Sequence, residues 1–360
     1  MSEINTQKRI AYLDRLRIIS CILVLLVHVS AQWTGTGSTG KPGFCFALSC
    51  NITAFIGVAL FVMISGALAL APDKEMSVKD ILFRKTFKFF FMYFLWKFIY
   101  FVLELYSAGK ISDISAWKND VILALFKKPG MYHLWFLPMI GLLFLLVPLI
   151  KTGCCKKDNC RLYLVVWLIL GILIPTAFLF EFPFKYLLMD LTKLFDISIF
   201  TGYLGYFILG HYLMKFADVK KRPARIYISV SALSALCLAF TAAAARSIKD
   251  SEPALGFSSP LTLAVAICSI AVFLLFKGDN KDEAPSKLTR LLSDSTLAVY
   301  LIHPLILEMI KKTGITAKAS NADFGIPLLL VLLTLCSFAV SVIYVLIKRA
   351  VLKGAKNAGS

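Results

Sequence analysis

Four histidines occur in the 360 residues, and one of them, His28, lies deep in an apolar run from Tyr12 to Trp33. The run reads YLDRLRIISCILVLLVHVSAQW and carries Asp14, Arg15 and Arg17 at its mouth. At about 100° per residue, the path from Arg17 to His28 makes about three turns plus 20° of a helix. Asp14, Arg17, Cys21, Val24 and His28 therefore share one stripe. The rise from Arg17 to His28 is about 16 Å, roughly half a hydrocarbon core. Ionisable groups are rare at that depth and face a cavity or a partner. An imidazole titrates near neutrality and can take or give a proton. A guanidinium suits the phosphates of a donor molecule. The stripe reads as the lining of an active site. The plainer alternative is a histidine bonded to a neighbouring helix for packing.

Two further histidines extend the candidate set. His133 stands in HLWFLP beside Trp135, either as part of an acceptor site or as an interfacial anchor. His303 stands in VYLIHP one turn after Tyr300. Pro304 frees a backbone carbonyl one turn back, and His303 could satisfy it or do chemistry. His211, in YFILGHYL, reads as structural. Arg84, Lys85 and Lys88 form a second basic group. With Arg17 they could make a cationic collar for a phosphorylated ligand, or they could be ordinary cytoplasmic charge. Ser65-Gly66 in ALFVMISG and the glycines of GYLGYFILG (202–210) read as sites of close helix approach.

These residues must be positioned by membrane helices. The chain is 59% hydrophobic and 17% charged, with a mean hydropathy of +0.78. A soluble domain carries about a quarter charged residues. The expected fold is an all-α integral membrane protein, a single membrane domain over 1–360. Apolar windows fall near 12–33, 51–71, 86–106, 132–150, 162–181, 197–214, 225–245, 259–277, 294–311 and 324–347, about ten transmembrane helices. With the N-terminus inside, inner segments hold 26 of the 39 Lys and Arg and outer loops hold 12, Lys97 falling within a span. That split puts both termini in the cytoplasm. It also accounts for the net charge of +18 without nucleic acid. An uncleaved first span fits the N-terminus better than a signal peptide, because the run carries His28 and is followed by many more spans.

Other chemistry is excluded or left open. Cys154, Cys155 and Cys160 lie in one basic loop without a fourth ligand, which argues against structural zinc, and no metal is expected. Cys45 and Cys50 fall in an expected external loop and could pair. Residues 114–126 read as an interfacial helix. There is no Walker or Rossmann glycine pattern, no serine nucleophile elbow and no HExxH. No inverted repeat is visible.

Arg17, ten residues, then His28 resembles the Arg-x10-His signature of the membrane-bound acyltransferase 3 family. VALFVMISGALAL (58–70), HLWFLPMIGLL (133–143), GYFILGHYL (205–213) and STLAVYLIHPLIL (295–307) are similar to that family's blocks, in the same order. The likeness covers about residues 9–350 and resembles the short, single-domain bacterial members. It implies a ten-helix core moving an acyl group, usually acetyl from acetyl-CoA as co-substrate, to a hydroxyl of a cell-envelope polysaccharide or lipid-linked sugar. It implies His28 and Arg17 as the catalytic pair in a bacterial plasma membrane. The family's second basic pair, often Arg-x-x-Arg, falls on Lys85 and Lys88 with Arg84 adjacent. Lysine keeps the charge but not the bidentate fork.

On this reading, acyl-CoA docks on Arg17, Arg84, Lys85 and Lys88 from the cytosol. The acceptor arrives past His133, Trp135, Tyr300 and His303. His28 acts as general base, or as an acyl-histidine relay. The rival from another class is a permease for a small amino acid or a glycan intermediate.

Overall fold

The computed structural model describes residues 9–35, 43–71, 77, 79–110, 121–127, 131–154, 156–194, 202–219, 256–279, 284–315 and 321–357, with scattered positions between 232 and 243. Among them, every regular element is a helix. They are α1 (Ala11–Ser30), α2 (Phe44–Ala54), α3 (Ile56–Ala69) and α4 (Phe87–Ser107), with a π-helical stretch over Asp80–Thr86 leading into α4. A short π-helical stretch follows at Leu123–Lys127, then α5 (Phe136–Leu145), α6 (Val147–Gly153) and α7 (Lys157–Val166). A third π-helical stretch, Trp167–Leu173, joins α7 to α8 (Ile174–Ala177). The chain continues as α9 (Lys185–Leu194), α10 (Leu204–Phe216), α11 (Leu263–Gly278), α12 (Lys287–Lys312) and α13 (Ala322–Asn357).

Five helices among the described residues are long and apolar enough to cross a bilayer, or six if α5 and α6 form one span bent by 53° at Leu146. They are Phe44–Ala69, Asp80–Ser107, Lys157–Ala177, Lys287–Lys312 and Ala322–Gly354. α1 has 20 residues, about 30 Å, but its three charges at the mouth set it apart from these. Most of the window expected at 225–245 lies outside the described residues, as do the loop 36–42 and much of 114–126. The second span begins earlier than the sequence suggested, at Phe44. Gly43, at φ 82°, turns the chain there, and a Cβ on it would sit 2.3 Å from the Cβ of Ala322. Cys45 and Cys50 therefore lie within α2 and not in a loop, and both are free thiols. Five residues apart on one helix, their Cα atoms are too widely separated for a disulfide.

The chain forms two compact units, Met1–Ala67 with Cys160–Ser360, and Leu68–Asn159. In the larger, α1, α12 and α13 enclose an apolar core of Cys21, Leu25, Val29, Val299, Leu307, Ile326, Leu329 and Leu333. α2 joins this core through Ala47, and the Asn51 amide donates to the Val27 carbonyl and the Ser30 Oγ, each at 3.0 Å. α12 starts on Ser286, whose Oγ accepts from the Thr289 N–H and so satisfies one of the orphan donors of the first turn. At the end of α10, the Lys277 ammonium donates to the carbonyls of Leu213, Met214 and Ala217 at 2.7–2.8 Å. One side chain from α11 thus caps the carbonyls that the last turn of α10 leaves open. α13 exposes Leu335, Val340, Ile343, Leu346 and Ile347, a face that suits lipid.

α3 and α10 cross on glycine. A Cβ on Gly66 would stand 1.8 Å from the Phe207 carbonyl oxygen, and one on Gly210 would stand 1.9 Å from that of Met63. The two backbones touch, as the small-residue texts around Gly66 and Gly210 suggested. In the smaller unit, the π-helical stretch and α4 pack with α5, the Thr86 hydroxyl donating to the Gly141 carbonyl at 3.3 Å.

Gly66→Ala should lower stability by about 1–3 kcal/mol through overpacking. Gly153→Ala, where a Cβ meets nothing within 4 Å, should be neutral or better. Thermal unfolding of the two purified proteins compares them, and equal melting temperatures would contradict the crossing.

Candidate active site

The stripe foreseen on α1 faces α12, and the two helices run parallel. Three contacts set the register. Asp14 Oδ1 accepts from Ser293 Oγ at 2.6 Å. The Cys21 thiol points to the Thr296 carbonyl at 3.8 Å. The His28 and His303 rings stack with centroids 4.8 Å apart and planes at 27°. On α12, Ser293, Thr296, Tyr300 and His303 share one face by their spacing. The rise from Ser293 to His303 is about 15 Å, against about 16 Å from Arg17 to His28, so the two polar stripes stay in step.

At the charged end of this seam, Asp14 is 4% exposed. Arg17 Nη1 stands 3.6 Å from Asp14 Oδ1 and donates to Ser293 Oγ at 3.3 Å. Arg17 Nε and Nη2 make no hydrogen bond among the described residues. The Arg17 side chain keeps 26% of its surface exposed. Arg9 Nε lies 3.7 Å from Asp14 Oδ2, and the Arg9 guanidinium is paired with Asp294. The hydrogen bond to Asp294 holds the Arg9 pKa above its ordinary value. Arg349, near the end of α13, donates to the same Asp294 at 2.6 Å. Arg15 turns away to Asp279 at 2.9 Å, its guanidinium over the Phe276 ring. Asp14 thus has Arg17 and Arg9 as its cations, and Arg15 does not reach it.

At the other end, His303 is fully buried and His28 is partly exposed. His303 Nδ1 lies 2.7 Å from the Tyr300 carbonyl. That carbonyl is the one Pro304 deprives of a helical N–H, and His303 takes that donor's place. It satisfies the carbonyl and it meets the imidazole of α1. A carbonyl only accepts, so Nδ1 carries the hydrogen and the neutral ring has Nε2 as its acceptor. Tyr300 is buried, with its ring 6.1 Å from that of His303.

The remaining predicted site residues, Arg84, Lys85, Lys88, His133 and Trp135, belong to the smaller unit. Arg84 is exposed and paired with Asp80 at 3.1 Å. The Lys85 ammonium lies 5.8 Å from the Phe144 ring centroid, and Lys88 is exposed. His133 is 1% exposed, edge-on to Tyr100 at 5.5 Å and Tyr132 at 5.8 Å, while Trp135 is exposed. Lys97, 4% exposed, donates to the Leu125 carbonyl at 2.9 Å above the Tyr93 ring. His211 is buried beside Phe216. Cys154 and Cys160 are buried free thiols, Cys155 lies outside the described residues, and no group of three potential metal ligands forms among the described residues.

Sequence reasoning missed Ser293, Asp294, Arg9 and Arg349 as parts of the site. Its one available signal was Ser293-Asp294, polar and acidic at the mouth of an apolar helix whose His303 was already singled out.

Apolar helices with bared lipid-compatible faces, crossed by a seam from a guanidinium to paired imidazoles, define a multi-pass membrane protein with an intramembrane polar centre. A family described as acyltransferase domain matches residues 10–346, nearly the whole chain, and the chain belongs to this acyltransferase 3 family. No curated protein and no solved structure matches it.

Removing the buried Asp14 should cost about 3–5 kcal/mol, because it strands Arg17 and Ser293. Asp14→Ala should therefore destabilise far more than Asp279→Ala, which opens an exposed pair worth about 1 kcal/mol or less. Detergent-solubilised thermal scans read the difference, and equal losses would contradict the burial argument.

Proposed function

We propose that the protein is an O-acetyltransferase of the bacterial plasma membrane. It takes acetyl from cytosolic acetyl-CoA and delivers it to a hydroxyl of a cell-envelope polysaccharide or lipid-linked sugar. Membership of the acyltransferase 3 family supports the reaction class. The observation that carries the assignment of residues is the seam, with a partly exposed guanidinium at one end and a partly exposed imidazole at the other.

The donor's phosphates bind the Nε and Nη2 edge of Arg17, which suits a phosphate bidentately. Asp14 and Ser293 hold the opposite side of that guanidinium. The exposed Arg84 and Lys88 are further candidates for phosphate contact within their own unit. The pantetheine arm covers the distance of about 16 Å from Arg17 to His28 beside the closed seam, and the thioester comes to rest by His28. His28 takes the proton of the acceptor hydroxyl as its oxygen attacks the thioester carbonyl. The tetrahedral adduct collapses with cleavage of the C–S bond. The departing CoA thiolate takes the proton from His28, which returns to its neutral form. His303 and Tyr300 lie at the acceptor end in the larger unit. His133 and Trp135 are the acceptor-side candidates of the smaller one.

His28→Ala should lower acetyl transfer by roughly a hundredfold or more, the usual contribution of a general base. Membrane vesicles given radiolabelled acetyl-CoA, with label counted in envelope polysaccharide, make the measurement, and wild-type label in the variant would end the assignment. Arg17→Ala should raise KM for acetyl-CoA. Arg17→Lys should recover only part of the loss, because it keeps the charge and not the fork. An unchanged KM in Arg17→Ala would remove the docking role. Uptake of a small amino acid or a glycan intermediate without acetyl-CoA consumption would favour a permease.

A further inference from the structure

His303 needs an account that a packing role does not supply. Its ring is fully buried behind the partly exposed His28, at 4.8 Å and 27°. That geometry stacks one ring against the other. What stacking does is restrict rotation. The χ2 preference of a histidine ring is broad, so its plane is set by what packs on it. A flat stacked partner restricts that rotation.

The partner must itself be fixed, and its anchor is in the sequence. Pro304 has no N–H and so leaves the Tyr300 carbonyl without its helical donor. His303 Nδ1 supplies the donor at 2.7 Å. The chain of constraint runs from Pro304 to the Tyr300 carbonyl, to the plane of His303, to the plane of His28.

We infer that His303 is a positioning residue for His28: a buried second imidazole, pinned by the carbonyl that Pro304 strips of its donor, whose face sets the plane of the reacting ring. This rests on the reading of His28 as the base. Oriented bases gain rate by holding the reacting nitrogen in line, and small displacements cost much of that gain.

Three substitutions separate the face of His303 from its nitrogens. His303→Ala removes both. His303→Phe keeps a flat ring without nitrogens. His303→Gln keeps a donor for the Tyr300 carbonyl without a ring. Each is compared with wild type and His28→Ala at equal amounts of membrane-inserted protein, in vesicles supplied with radiolabelled acetyl-CoA. His303→Ala and His303→Gln should lose about tenfold or more in kcat with KM for acetyl-CoA within about twofold, since the donor docks elsewhere. His303→Phe should fall between wild type and His303→Ala, because it keeps the ring face and loses the anchor to the Tyr300 carbonyl. Full kcat in His303→Ala, or better rescue by Gln than by Phe, overturns the inference while an inactive His28→Ala leaves the base intact. An active His28→Ala overturns the reading beneath it.

Discussion

A carboxylate buried at the mouth of a membrane helix must be neutralised, and Asp14 is that carboxylate. Isolated charge in a low-dielectric setting is costly, and a pair repays it only with good geometry and further hydrogen bonds. Asp14 receives Ser293 Oγ at 2.6 Å, with Arg17 and Arg9 close by. These contacts bring α12 to α1 at one height. Parallel alignment then carries the match along the seam to Cys21 and Thr296 and to His28 and His303. The position of the imidazole pair is thus a consequence of charge pairing about 16 Å away.

A second layer of charge surrounds the first. Asp294 takes Arg9 from the segment before α1 and Arg349 from the end of α13. Three parts of the chain meet on one carboxylate, which is half of what joins α13 to the polar end. The other half is apolar, through Ile326, Leu329 and Leu333. The division of labour is physical. Apolar contact has little directional content in lipid, so helix faces are chosen by hydrogen bonds, small residues and ions. Gly66 against Phe207 and Gly210 against Met63 do by shape what Asp294 does by charge.

Local features were legible in the sequence because they depend on residues one or two turns apart. The stripe of Asp14, Arg17, Cys21 and His28 followed from helical period alone. So did the carbonyl that Pro304 frees and the close approach at Gly66. The partners of that stripe were not legible. Ser293 is 279 positions from Asp14, and nothing in the period of either helix names the other. Lys277 caps carbonyls 60 to 64 positions away in the chain, which no local pattern names. Arg84 and Lys85 sit in a π-helical stretch that an apolar window does not reveal, and its wider turn changes which way successive side chains face. Cys45 and Cys50 were misjudged because the second span runs further back than its hydropathy suggested.

The pairing of Asp14 with Ser293 also sets an order of events during synthesis. At about 5–20 residues per second, α12 emerges roughly 15–60 s after α1. Throughout that interval the first helix has neither Ser293 nor Asp294 to meet its charges. Asp14 and Arg17 are three residues apart on one helix and can neutralise each other from the start. The same ion pair that later helps to hold a donor-binding guanidinium is the one that lets a charged helix wait in the membrane for its partner.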